Sequence, residues 1–291
     1  MRVLITGSTR GLGLATARSL ARRGADVVVS GRDPAAVTRV AEEIGGTPLV
    51  LDLARPQHVR EVAAGLAPLE AVVANAGLQF TGPPTFTADG VEETLAVNVL
   101  GHVVLLDALL ARPDPVGHAV LLGSGTHIPG EWPLIPAPVE DLDLGALARG
   151  ERAADSGMLR YSTSKLHTTA LAGAYAREYP ATHWTCYDPG LMTDTGLTRS
   201  HPRWQQPIYR TLGRALTALR PYAVTSETSG SALASLVLNP TGPSGAVVAY
   251  HRGFGDRSVR AADPVYQDGL LAAARELLAA PAVRSGRSTG S

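Results

Sequence analysis

The N-terminal stretch constrains this chain most. Arg2-Val3-Leu4-Ile5 is a short apolar run of the kind that forms a buried parallel strand. Thr6-Gly7-Ser8-Thr9-Arg10-Gly11-Leu12-Gly13 follows directly, and a helical run continues to Arg23. Strand, glycine-rich turn and helix in that order predict an α/β sheet whose first turn takes a phosphate. Glycine lets the backbone turn tightly and approach a ligand closely, and the new helix offers unpaired N–H groups and the positive end of its dipole. A plain strand-to-helix turn is the competing reading. At the head of an α/β chain the dinucleotide reading is preferred, with cofactor contacts expected from Thr6 through Gly13. No Gly-Lys-Ser/Thr closes the loop, which excludes a nucleoside-triphosphate loop of that type.

The pattern then repeats. Strands are predicted at 25–30, 47–51, 69–74, 118–122, 183–187 and 246–250, with helices at 34–44, 57–66, 90–110, 225–238 and 264–279. Such alternation predicts a doubly wound parallel sheet of about seven strands, with helices on both faces. The second strand ends in Ser30-Gly31-Arg32. An acidic residue there would hold a ribose hydroxyl, whereas arginine suits a 2′-phosphate. Arg32, with Arg10 from the glycine turn, therefore points to NADP(H); two solvated surface arginines are the alternative. Asp33 reads as an N-cap ahead of Pro34. Asp52-Leu53 and Asn75-Ala76-Gly77 close the third and fourth strands, where small residues let the backbone approach a ligand. Asn98 lies in an apolar helical stretch and needs partners if buried. Ser124 follows the fifth strand, where it could hydrogen-bond a substrate carbonyl or only cap a turn.

Tyr161 and Lys165 are four apart on an alanine-rich helix and share a face. An ammonium beside a phenol stabilises the phenolate, so the tyrosine could exchange a proton with a substrate oxygen near neutral pH. By itself the pair is an ordinary helix-surface spacing. Of the chain's 291 residues 45% are hydrophobic and 18% charged, and Lys+Arg and Asp+Glu are both 26, which suggests a soluble protein with no nucleic-acid partner. The single cysteine, Cys186, permits no internal disulfide and is compatible with a reducing, cytoplasmic setting. No signal peptide, membrane span or metal-ligand spacing is expected.

Taken together and in order, the glycine turn, Asp52, Asn75-Ala76-Gly77, Asn98, Ser124, Tyr161-x-x-x-Lys165 and Asp188-Pro189-Gly190 with Thr193 resemble the short-chain dehydrogenase/reductase family over about residues 2–250. The resemblance implies a Rossmann-type fold and an NADP(H)-dependent oxidoreductase. It implies Tyr161 as general acid/base, Lys165 as the group that lowers its pKa and holds the nicotinamide ribose, and Ser124 as the residue that orients the substrate oxygen. Asn98 would anchor a water linked to Lys165. Asp52 and Leu53 would lie by the adenine, Asn75, Ala76 and Gly77 on the ribose side, and Pro189, Gly190 and Thr193 along the nicotinamide and its phosphate. Family members often form dimers or tetramers through their long helices.

One departure concerns the long segment 125–157 between Ser124 and Tyr161, with Pro129, Pro133, Pro136 and Pro138 and an acidic stretch from Glu140 to Asp143. It resembles an insertion in retinol-dehydrogenase-like and protochlorophyllide-reductase-like members, and the region from Pro189 onward is similar to the second group. That group's cysteine after Pro-Gly is Leu191 here. Trp132 and Trp204 fall in the two candidate lid segments, 125–157 and 191–221, and would line an apolar site for a medium or large carbonyl substrate. A single domain over 1–283 and a disordered tail at 284–291 are expected. The leading expectation is reduction of a ketone or aldehyde. Its rivals are reduction of a carbon–carbon double bond and a cofactor-binding regulator without turnover.

Overall fold

A computed structural model of the chain describes residues 1–80, 82–131, 135–152, 156–192, 223–250 and 253–280. The apolar runs form strands close to their expected limits: β1 Arg2–Ile5, β2 Asp26–Gly31, β3 Thr47–Val50, β4 Ala71–Ala74, β5 His118–Leu122 and β6 His183–Asp188. After β7 Leu191–Met192 and β8 Ala223–Val224 come β9 Ala246–Ala249 and β10 Gly253–Phe254. The helices are α1 Gly11–Arg22, α2 Pro34–Ile44, α3 Pro56–Gly65, α4 Glu93–Leu95, α5 Gly101–Leu110, α6 Leu144–Ala148, α7 Gly157–Glu178, α8 Ser226–Leu238, α9 Val259–Ala262 and α10 Pro264–Ala279.

The main sheet has eight strands in the order β10-β9-β6-β5-β4-β1-β2-β3. All are parallel except β10, which runs antiparallel to β9 at the edge. This is the doubly wound, Rossmann-type α/β architecture expected, with one strand more. β10 is two residues long and carries no alternation that a sequence could show. β7 and β8 pair in parallel in a small sheet of their own.

Strand geometry explains the two faces. Successive side chains point to opposite sides of a sheet. Leu4, Val72 and Ala74 accordingly join the core under α3, α5, α7 and α10. Val3, Ile5, Ala71 and Val73 join the core under α1, α2 and α8. On the first face Trp184 stacks on Tyr175, their ring centroids 4.7 Å apart. On that face, too, Arg275 of α10 pairs with Asp107 of α5 at 2.8 Å and with Glu178 of α7 at 2.9 Å, tying three helices together.

The predicted helix at 90–110 begins at Glu93 and is interrupted by a π-helical turn, Ala96–Leu100. Glu93–Leu110 has the length and mean hydropathy, 1.6, of a membrane-crossing helix, yet 83% of it is buried inside the fold. The described parts of 125–157 are packed against the rest of the chain. Leu144, Leu147 and Ala148 of α6 belong to the core. Val139 N–H donates to Thr163 Oγ1 of α7 at 2.9 Å, and the Ala148 carbonyl accepts from Glu92 N–H at 2.8 Å.

Candidate active site

β1 and β4 are neighbours while β1 also pairs with β2, so the chain order reverses between them. In open α/β sheets ligands bind outside the carboxyl ends of the strands at such a switch point. The ends of β1, β4, β5 and β6 deliver Thr6, Asn75, Ser124 and Pro189 to that crevice.

The glycine turn is built for close approach. Gly7 has φ 65°, a left-handed conformation that a side chain would strain. A Cβ on Gly13 would sit 2.5 Å from both Asn75 Nδ2 and the Gly7 carbonyl. Asn75 Nδ2 donates to the Thr6 carbonyl at 2.8 Å and to the Gly7 carbonyl at 3.2 Å, locking β4 to the turn. The Thr6 hydroxyl accepts from Asn75 N–H and Ala76 N–H, both at 2.9 Å. Ser8 points inward: its hydroxyl donates to the Ile5 carbonyl at 3.0 Å and accepts from Ser30 N–H at 2.9 Å. Leu12 and Leu53 are buried core residues, and Asp52 closes its own turn by accepting from Ala54 N–H at 3.1 Å.

No side chain caps α1, whereas Asp33 caps α2 by accepting from Ala35 N–H at 3.0 Å. The carboxylate that could have competed for a ribose is thus committed to a helix end. Arg10 and Arg32 are exposed. They come from adjoining segments, because the Ser8 N–H donates to the Ser30 carbonyl at 2.9 Å and Thr9 packs over Gly31. The uncapped helix, the cradle at Gly13 and these two arginines fit a dinucleotide phosphate.

Asn98 sits in the π-helical turn, where the extra residue turns its side chain and carbonyl inward. Its Oδ1 accepts from Leu78 N–H at 2.7 Å, and its Nδ2 donates to the Leu78 carbonyl and to Ser164 Oγ, each at 3.0 Å. A Cβ on Gly77 would lie 3.5 Å from Asn98 Oδ1 and 3.9 Å from Lys165 Nζ, so these three residues meet. His102, one turn on, donates from Nδ1 to the Asn98 carbonyl at 3.2 Å and accepts at Nε2 from the Thr6 hydroxyl at 3.0 Å, the tautomer following from its partners.

Ser124, Tyr161 and Lys165 converge. The Ser124 hydroxyl lies near enough to the Tyr161 phenol to favour its ionised form. Lys165 Nζ lies 5.5 Å from the Tyr161 ring centroid and donates to the Leu122 carbonyl at 2.8 Å. Burial pushes the Tyr161 phenol up to about 12; the neighbouring Ser124 hydroxyl opposes the rise and the Asp188 carboxylate adds to it. Burial brings Lys165 down to about 8, against the pull of Cys186 and Asp188. The sequence argument expected the ammonium to lower the phenol. In this arrangement Nζ faces the Leu122 carbonyl over the ring, and desolvation dominates. Pro189 and Gly190 lie beside the group: the Pro189 carbonyl accepts from Ser229 Oγ at 3.0 Å, and Gly190 N–H donates to Asp188 Oδ1 at 3.0 Å. Trp132, Thr193 and Trp204, most of the 191–221 lid and the tail lie outside the described residues.

Comparison with known proteins decides the family. The family model for short chain dehydrogenases matches residues 1–127. A probable oxidoreductase of Streptomyces antibioticus is 31% identical over 244 residues, which cover 76% of this chain and 80% of that one. The chain belongs to the short-chain dehydrogenase/reductase family. Chloroplastic protochlorophyllide reductase of Daucus carota is 32% identical over 271 residues, 82% of this chain and 67% of the carrot protein. A solved, uncharacterized protein from Mycobacterium Paratuberculosis superposes with a TM-score of 0.73 at 26% identity, covering 95% of this chain and 92% of that one.

Within this short-chain dehydrogenase/reductase site the sequence reading missed three supports. His102 had no spacing partner to mark it. Asp188 was noted only as part of Asp-Pro-Gly, although its charge reaches both Tyr161 and Lys165. The third is the ion pair of Glu92 and Arg160, 3.2 Å apart with each side chain 3% exposed. Arg160 also donates to the Gly82 carbonyl at 2.6 Å, and Glu92 accepts from Leu95 N–H at 2.8 Å. The pair clamps the start of α7 one residue before Tyr161. Removing one member of a buried pair strands the other charge. Glu92→Ala is expected to destabilise the fold by about 3 kcal/mol, read as a lower urea midpoint at unchanged slope. A midpoint equal to wild type contradicts the clamp.

Proposed function

We propose that this family member is an NADP(H)-dependent reductase that converts the carbonyl of a medium or large ketone or aldehyde to an alcohol. The observation that carries the reading is the convergence of the Ser124 and Tyr161 hydroxyls beside Lys165. Two adjacent hydroxyls can hold one carbonyl oxygen, Ser124 orienting it and Tyr161 giving it a proton. A neutral phenol is the donor form, and a value pushed up to about 12 keeps it protonated throughout the working range. The bound nicotinamide supplies the hydride. Lys165 stays largely protonated at neutral pH, and its position near Gly77 and Asn98 suits a cation that holds a ribose hydroxyl. Arg10 and Arg32 favour a 2′-phosphate because a guanidinium fork matches phosphate oxygens.

A second reading, reduction of a carbon–carbon double bond, draws on the identity to protochlorophyllide reductases. Product analysis with an enone separates the two: an allylic alcohol supports the first, a saturated ketone the second. Cofactor choice is tested by titrating NADPH and NADH separately. Arg10→Ala with Arg32→Ala is expected to weaken NADPH binding at least tenfold, a loss of about 1.4 kcal/mol or more, and to leave NADH binding unchanged. Equal losses for both cofactors contradict the phosphate assignment.

A further inference from the structure

The turn after β5 contains a histidine that the proposed chemistry does not use. His127 ends the short Gly125–His127 3-10 turn and is 1% exposed. Its Nδ1 lies 2.6 Å from the Ser124 carbonyl oxygen. A carbonyl only accepts, so Nδ1 carries the hydrogen and donates. The backbone N–H of His127 donates to the same oxygen at 3.2 Å. On the other side of the residue, Ser124 Oγ accepts from Thr126 N–H at 3.4 Å. The Ser124 hydroxyl hydrogen remains free to turn toward the neighbouring Tyr161 phenol. The imidazole Nε2 is buried and has no hydrogen-bond partner. Burial lowers the ring's pKa, which keeps it in the neutral form that holds its hydrogen on Nδ1. Asp188 and Glu131 oppose that burial effect, and Arg257 reinforces it. A buried imidazole with one nitrogen unpartnered costs stability, so a simple apolar filler would serve packing better. The short bond at Nδ1 is the one thing such a filler could not provide.

We propose that His127 is a positioning residue: its Nδ1–H holds the Ser124 carbonyl and thereby aims the Ser124 hydroxyl at Tyr161. The inference rests on the reading of Ser124 and Tyr161 as the pair that receives the substrate oxygen. It adds a residue to that site which touches no reacting atom. Without the side-chain bond the Ser124 peptide could tilt about ψ and carry Cβ and Oγ away from the phenol, and a misplacement of about 1 Å costs up to roughly 100-fold in rate.

The test does not need the substrate. The protein is labelled with [13Cζ]tyrosine and the Tyr161 resonance is assigned as the one missing in Tyr161→Phe. Ser124→Ala is expected to shift it, because the phenol loses the neighbouring hydroxyl that favours its ionised form. His127→Ala is expected to shift it in the same direction. His127→Asn, whose amide nitrogen falls where Nδ1 was, is expected to return it to the wild-type position. His127→Gln keeps more of the bulk but puts the amide nitrogen near Nε2, and is expected to behave like alanine; it also serves if the alanine variant fails to fold. A purely structural role predicts that glutamine, the better space-filler, rescues and asparagine does not. That result overturns the proposal, as does a Tyr161 resonance unmoved in His127→Ala and His127→Gln. With the carbonyl substrate found by screening, kcat is expected to fall about tenfold or more in His127→Ala at little-changed KM. Full turnover in Tyr161→Phe would instead remove the functional reading and leave the resonance comparison standing.

Discussion

Changing Tyr161 to phenylalanine is expected to lower turnover by about 100- to 10,000-fold, the usual contribution of a placed proton donor. The substitution removes one oxygen and leaves the ring packed where it is. The structure places that oxygen near the Ser124 hydroxyl, on the same helix face as Lys165 and within the reach of the Asp188 charge. Nothing in the glycine turn, Arg10 or Arg32 changes, so NADPH titration should give a dissociation constant within about threefold of wild type, less than 1 kcal/mol. The two measurements together isolate proton transfer from binding. Turnover within threefold of wild type would mean that Tyr161 does not give the proton, and the reading as a cofactor-binding regulator would gain.

The second large effect is on stability in mild acid. His102, His118 and His167 are all buried, and burial brings each down to about 4 from an ordinary value of 6.5. In the first two, neighbouring Lys165 and His183 respectively add to the lowering; in the third, Asp141 opposes it. The sign follows from the proton count. Above pH 6.5 folded and unfolded chains both hold neutral imidazoles, and no penalty arises. Between pH 6.5 and 4 the unfolded chain takes up protons that the folded chain refuses, so stability falls as pH falls. At pH 5 each histidine costs about 2 kcal/mol, and the three together about 6 kcal/mol, against a typical total of about 5–15 kcal/mol. Urea denaturation at pH 7.5 and pH 5 reads this directly. His167 is the cleanest single test, because neither of its ring nitrogens has a hydrogen-bond partner. His167→Leu should recover about 2 kcal/mol of the loss at pH 5 and be neutral or better at pH 7.5. A stability that is flat between the two pH values contradicts the account.

Much of the fold could be read from periodicity. β5 at His118–Leu122, α2 at Pro34–Ile44 and α10 at Pro264–Ala279 fall where the apolar runs and the proline starts put them. A buried parallel strand must be apolar throughout, and a proline fits the first turn of a helix, so both signals are local. β10 and the π-helical turn at Ala96–Leu100 were not legible, because the first depends on an edge being available on β9 and the second on packing of an already helical segment. The expected lid at 191–221 lies mostly outside the described residues.

The sequence by itself determined which residues could do chemistry and in what order. The glycine turn carries its own physical reason, whereas Asn98, Ser124 and the Tyr161–Lys165 spacing were ambiguous singly and drew their roles from their order along the chain. It also suggested that Asp33 serves a helix end rather than a ribose, and the cap bond to Ala35 agrees. Only the tertiary structure decided what surrounds those residues. The rise of the Tyr161 phenol to about 12, the direction of Lys165 towards the Leu122 carbonyl, and the supports from His102, His127 and the Glu92–Arg160 pair arise between segments far apart in sequence. Desolvation and hydrogen-bond direction depend on what lies within a few ångströms in space, and residue order along a chain does not encode that distance.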